Sequence, residues 1–343
     1  MGKKKKSYLT LRIVIIYVIV YFAYAWYHIF YMEKVDIYQK TNLYISSNST
    51  IKKAVDSLIS AKIIKNPAKF LKHLSLSKYP TIKGGHYVIS QNTTYRKLVK
   101  ILCLGQQSPV NLVISNSIRT KYKLAKILSR QMEADSTTWL NTFNDSIFLN
   151  ELGFTPTNSI LLFIPNTYNV YWNRDAKQLF RDMKKEYDKY WNPARLDKLK
   201  ALGLTEKEAM ILASIIVEES SKYDELPNIA GVYINRLRKN MPLQADPTVK
   251  YAINDFSLRR VLTVHTELDS PYNTYKYMGL PPGPICIPDQ RAVDAVLNYA
   301  KHDYLYFCAK DDFSGYHVFA KTLQQHNQNA NAYRYALNRR KIF

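Results

Sequence analysis

The stretch that most constrains this chain runs from Ile13 to Met32, twenty residues without a single Lys, Arg, Asp or Glu. At ~1.5 Å per helical residue it reaches roughly 30 Å, the thickness of a bilayer core. A basic run, Lys3 to Lys6, precedes it. Basic flanks stay cytoplasmic, so the bulk of the chain is expected to face outward. Tyr24, Trp26, Tyr27 and Tyr31 gather towards the outer end, where aromatic rings favour the interface. Ala23-Tyr24-Ala25 resembles a signal-peptidase site. Bulky apolar residues nevertheless continue through Trp26, Ile29 and Phe30, which favours a retained anchor. The expected layout is a cytoplasmic tail over 1–12, a transmembrane helix over 13–32 and an exported remainder.

The net charge of +22 points to an anionic partner or to a solvated basic surface. No helix-turn-helix, RNP or zinc-finger spacing is present, and export excludes nucleic acid as a partner. Cys103, Cys286 and Cys308 form no CxxC pair, so neither a zinc nor a redox motif is indicated. Their odd count rules out a fully paired framework and leaves one bridge, Cys286 to Cys308, open. Tyrosine, at 28 residues against 13 Phe, suits sugar stacking as well as it suits a compositional habit.

The exported part reads as α+β. Residues 42–113 look like a small mixed module. Ser49 or Thr50 caps a helix with Ile51, Ala54, Val55 and Leu58 at helical spacing, and Gly84-Gly85 turns into a strand through Ile89. A second helix follows from Thr94 and stops at Gly105. Residues 114–343 form the larger, mixed α/β domain. Within it, Leu161 to Pro165 reads as extended, and Lys177 to Leu202 as one charged, amphipathic surface helix.

Chemistry concentrates after residue 205. Thr205-Glu206-Lys207-Glu208 has capping-box spacing, and the apolar run Ala209 to Val217 predicts a buried helix. It ends on Glu218 and Glu219, where the helix dipole disfavours negative charge. Such a pair is either a solvated helix end or an acid held against apolar walls with a raised pKa. Pro227 opens a second helix, with Ile229, Val232, Tyr233 and Leu237 on one face and Asn235 and Arg236 beside it. Asp246-Pro247 has the look of an N-cap and first turn. The rigid loops Pro271 to Tyr275 and Gly279 to Pro284 suit either a structural crossover or the wall of a polysaccharide groove.

These pieces occur in one order. Ala213-Ser214-Ile215 through Glu219, Tyr233 to Leu237, Leu243 to Val249, Tyr272 to Tyr275, Gly279 to Ile285, Tyr304 to Phe307 and His317 to Phe319 resemble the motif series of the endolytic murein transglycosylases, the MltG (YceG-like) family. The resemblance covers most of the exported chain. It implies a single-pass bacterial inner-membrane protein with a LysM-like module, here 42–113, and a periplasmic transglycosylase domain, here 114–343.

The implied partners are peptidoglycan glycan strands, the membrane and cell-wall synthases. No metal or organic cofactor is implied. The family's catalytic Glu is the later one of its motif, which falls on Glu219 when counted back from Asn235-Arg236-Leu237. Val217 replaces the motif's first Glu and Ser220 its Thr, so Glu218 stays a competitor. Asn166 stands where the family has Asp before Thr167-Tyr168. The same series implies substrate contacts at Asn235, Arg236, Gln244, Asp246, Thr248, Tyr272, Asn273, Thr274 and Tyr275.

The implied reaction cleaves the β-1,4 bond between muramic acid and glucosamine. One Glu protonates the glycosidic oxygen and then accepts the C6 hydroxyl proton, leaving a 1,6-anhydro end. A pKa raised by two units corresponds to about 2.7 kcal/mol. A muramidase using Asp246 as second carboxylate, and a non-catalytic membrane-tethered scaffold, are the competing functions.

Overall fold

The computed structural model describes residues 2–28, 32–79, 81–258 and 260–340, with side chains from Leu11 onward. Helix α1 (Gly2–Tyr27) opens the chain. From Leu11 to Tyr27 its apolar side chains are largely exposed, Tyr17 by 74%. No helix among the described residues is long and apolar enough to cross a membrane. Residues 29–31 of the expected span lie outside the described residues.

The remaining elements run in the order β1 (Thr41–Ile45), α2 (Ile51–Ser60), α3 (Pro67–Ser75), β2 (Gly85–Ile89), α4 (Tyr95–Leu104), β3 (Val110–Ile114), α5 (Lys121–Gln131), α6 (Ser136–Asn144) and α7 (Ser146–Glu151). Then follow β4 (Asn166–Val170), α8 (Ala176–Tyr190), α9 (Pro193–Leu202), α10 (Glu206–Glu219), α11 (Leu226–Arg238), α12 (Asp246–Ile253), α13 (Thr263–Thr266), α14 (Gln290–Leu297), β5 (Tyr306–Ala309), β6 (His317–Ala320) and α15 (Leu323–Arg339). Helices dominate, and the strands form three separate two-stranded sheets, so the α+β class holds.

The chain divides into two compact units. The first holds residues 1–111 with 131–133 and 169–174. β1 and β2 pair antiparallel, Leu43 opposite Tyr87, and the helices between and after them cover one face. Its core includes Leu43, Ile45, Leu58, Phe70, Tyr87 and Leu98. Local signals decide the element ends: Thr50 and Thr94 accept from the backbone three residues on, and Gly105 closes α4 in the left-handed conformation. Residues 131–133 and 169–174 join through side chains, with Glu133 accepting from Ser47 and Asn173 donating to the Gly84 carbonyl.

The second unit holds 112–130, 134–168 and 175–343. α10 is its central rod, packed by α9, α11, α12 and α14. Two expectations are corrected here. Lys177 to Leu202 is two helices, because Pro193 disfavours helical backbone at Asn192, whose side chain caps α9 instead. Leu161 to Pro165 is not extended: Ser159–Leu162 is a 3-10 turn, and the strand begins only at Asn166. A short, fully buried apolar run carries no period from which to tell the two apart. All three cysteines are free, so no Cys286–Cys308 bridge forms.

Candidate active site

The site is built on the end of α10. The capping box at Thr205 and Glu208 starts this helix, and every residue from Ala209 to Ile216 is buried. Ser214, inside that run, accepts from the Ile285 backbone at 3.1 Å and so fixes the loop rich in Gly and Pro to the helix.

Successive residues on a helix point about 100° apart. The two terminal glutamates therefore enter different spaces. Glu218 pairs with Arg119 at 2.6 Å, in a small cavity of about 110 Å³ with Lys250, Tyr251 and Phe256. Glu219 enters a larger cleft of about 390 Å³, where its Oε1 accepts from the Tyr233 hydroxyl at 2.5 Å. Burial raises its pKa, the Tyr233 hydrogen bond lowers it, the nearby Asp246 carboxylate raises it, and Lys250 and Arg236 lower it; the net result is about 7. Burial dominates because the desolvated carboxylate recovers only one strong hydrogen bond.

Helix α11 brings Tyr233 and Arg236 to the cleft. Arg236 is almost fully buried and donates to the carbonyls of Leu305 (2.6 Å) and Leu243 (2.8 Å) and to Gln244 Oε1 (3.2 Å). It lies over the Tyr306 ring at 5.1 Å. Asn235 turns away and donates to the carbonyls of His302 and Tyr304. It anchors the segment leading into β5 and does not line the cleft.

Asp246 lines the cleft but does not cap α12. The N-cap is Ala245, without a side-chain bond, and Asp246 lies inside the helix. Its Oδ1 accepts from the Tyr275 hydroxyl at 2.6 Å instead. The expected capping role is thereby corrected: the helix begins one residue earlier than the Asp-Pro pair suggested. Thr248 and Thr274 are buried and share a 2.9 Å hydroxyl contact, while Thr274 also accepts from the Ala245 backbone.

Asn273, fully buried, donates to the carbonyls of Thr266 and Leu268 and accepts from the Tyr275 backbone. These three residues shape the loop that presents Tyr275. Gln244 lines the cleft with φ of 51°, a left-handed backbone that costs a non-glycine residue. Tyr272 faces another cavity, of about 340 Å³, and packs on Tyr251 at 4.7 Å.

Of the expected residues, then, Glu219, Arg236, Gln244, Asp246 and Tyr275 meet in one cleft. Glu218, Asn235, Thr248, Tyr272, Asn273 and Thr274 lie outside it. Tyr233 and the far wall were not anticipated as site residues. That wall comprises Tyr306 to Ala309 on β5, His317 on β6, and Leu323 and His326 on α15. Several stand within the quoted motifs, but nothing in their spacing separates a cleft-facing ring from a core ring. Among the described residues no group of three or more His, Cys, Asp or Glu is placed to hold a metal ion.

Comparison with known proteins defines the class. The profile of the YceG-like family matches residues 43–332, and the chain belongs to that family. An endolytic murein transglycosylase of Bacillus subtilis (strain 168) is 28% identical over 314 residues, covering 87% of this chain and 86% of the relative. One from Streptococcus pneumoniae serotype 2 is 27% identical and aligns with 83% of this chain, which spans 57% of its length. The crystal structure of a YceG-like protein from Listeria monocytogenes superposes with a TM-score of 0.54 at 30% identity, covering 84% of this chain and 99% of that one.

Proposed function

We propose that this chain is an endolytic peptidoglycan lytic transglycosylase with Glu219 as its proton-transfer residue. The observation that carries the mechanism is one carboxyl poised near neutral pH in a cleft, bonded on one oxygen only among the described residues. Tyr233 holds Oε1, which leaves Oε2 to carry the proton towards the glycosidic oxygen. Once that proton has left, the same carboxylate accepts the proton of the muramic acid C6 hydroxyl as that oxygen bonds the anomeric carbon. The glycosidic bond breaks, a 1,6-anhydro end forms, and no water is consumed. Asp246, oriented by Tyr275, supplies negative charge beside the cation-like transition state. The ion pair that binds Glu218 to Arg119 speaks against Glu218 as the acid.

A hydrolytic muramidase is the second reading, because Asp246 presents a second carboxylate to the same cleft. Mass spectrometry of products from purified glycan strands separates the two. The transglycosylase releases anhydro ends, whereas the hydrolase releases reducing ends heavier by one water. A protein that leaves the strands intact is a binding scaffold.

The exposed apolar side chains of α1 support a single-pass anchor, with the rest of the chain outside the cytoplasm at the bacterial inner membrane. The β–α–α–β unit from Thr41 to Ile89 supports a separate LysM-like, glycan-orienting module. Nascent strands at the membrane surface, and the synthases that make them, are the partners this arrangement fits.

A further inference from the structure

Glu225 is the N-cap residue of α11 but makes no side-chain capping bond. Its carboxylate is buried, with 5% of the residue exposed, and accepts three hydrogen bonds. They come from the His317 backbone N–H at 2.7 Å, from His317 Nδ1 at 3.0 Å and from the Ser220 hydroxyl at 3.3 Å. A buried carboxylate is costly unless it is fully bonded, and two of these three bonds go to one residue, one to the His317 backbone and one to its imidazole. A carboxylate only accepts, so Nδ1 carries hydrogen in either charge state. Nε2 is then the variable nitrogen, an acceptor in the neutral ring and a donor in the charged one.

Nε2 has no hydrogen-bond partner among the described residues and is not a buried orphan, and the ring lines the cleft. Two other histidines are bonded on both ring nitrogens. His86 meets the Ser108 carbonyl and Asn42 Oδ1, and His302 meets the Asn228 carbonyl and the Tyr304 N–H. His317 is also set in register with the catalytic acid. Ser220, bonded to Glu225, directly follows Glu219. Phe307 lies edge-on to both His317, at 5.3 Å, and Tyr233, at 5.8 Å.

We propose that His317 is a further substrate-contacting residue of the cleft, accepting a hydrogen bond from a sugar hydroxyl at Nε2, with Glu225 as the positioning residue that holds it. The inference rests on the glycan-cleaving function proposed above. His317→Asn keeps an amide near the Nδ1 position and removes the Nε2 end; His317→Gln reaches the Nε2 position.

The test uses the full chain in detergent. Glycan-strand Kd is measured in a Glu219→Gln background, and kcat/KM in the unmodified background. His317→Asn should weaken strand binding about tenfold, the worth of one lost hydrogen bond. It should lower kcat/KM at least as much with Tm unchanged, and His317→Gln should recover most of the loss. The imidazole ¹⁵N resonance of Nε2 should move when strands are added to the Glu219→Gln protein.

Unchanged Kd and kcat/KM in a folded His317→Asn protein would overturn the proposal. So would equal losses in both variants with a lowered Tm, or an Nε2 resonance indifferent to strands. If the unmodified protein releases no anhydro ends while His317→Asn still weakens strand binding, the transglycosylase reading fails and this one stands.

Discussion

Glu219→Gln should make the protein more stable, by an amount that grows as pH rises from the ordinary carboxyl range to neutrality. The folded chain holds this carboxyl at a pKa of about 7 against an ordinary 4.5, chiefly through burial. A group whose folded pKa is raised costs nothing below pH 4.5, where both states are protonated. The penalty grows as pH rises and is complete above the folded value. At 1.36 kcal/mol per pH unit the full penalty is about 3 kcal/mol. Glutamine removes it, because a neutral amide leaves water more cheaply and its oxygen still accepts from Tyr233.

For a domain of this size about 3 kcal/mol corresponds to a rise in Tm of roughly 6–12 °C. Paired melts of unmodified and Glu219→Gln protein, from pH 4 to pH 9, isolate the effect, since every other titrating group is common to both. The Tm difference should be near zero at pH 4, open between pH 5 and 7, and level off above. Strand cleavage should fall ~100- to 10,000-fold in the same variant. A Tm offset independent of pH, or one that favours the unmodified protein above pH 7, would refute the claim that burial strains this carboxyl.

The neighbours of Glu219 should move the alkaline limb of activity in opposite directions. Tyr233→Phe removes a hydrogen bond to the charged form and shifts the limb to higher pH, while Asp246→Asn removes a like charge and shifts it lower; pH–rate profiles read both. Glu218→Gln should retain most cleavage activity, since its partners, Arg119 and Cys286, lie outside the cleft; a loss matching that of Glu219→Gln would reverse the assignment. Thiol titration of the denatured, unreduced protein should count three free cysteines. A C-terminal alkaline phosphatase fusion should be active if α1 anchors the chain with its bulk outside the cytoplasm, and inactive if the chain remains inside.

Much of the local architecture was legible in the residues because its causes are local. The capping box at Thr205, the caps at Thr50 and Thr94, the Gly105 stop and the burial of the apolar α10 run depend on neighbours a few positions away. The motif order also carried the family. Where an element depended on packing, the sequence misled, since Leu161 to Pro165 lacks a period; the break at Pro193 was a local signal, overlooked within a continuous charged run.

The amino-acid sequence by itself determined that a buried helix ends on two adjacent carboxyls, that Asp246 stands at a helix start and that Tyr275 lies in a rigid loop. Only the tertiary structure decided which carboxyl enters the cleft. Glu218 and Glu219 have the same chemistry and adjacent positions, but the rotation of about 100° per helical residue sends the first to Arg119 and the second into the cleft. It also decided that Thr248, Asn273 and Thr274 hold the wall together from behind, and that Tyr233, Phe307 and His317 face inward. These choices depend on which distant segment packs against each residue, and no spacing along the chain encodes the direction in which a ring will point.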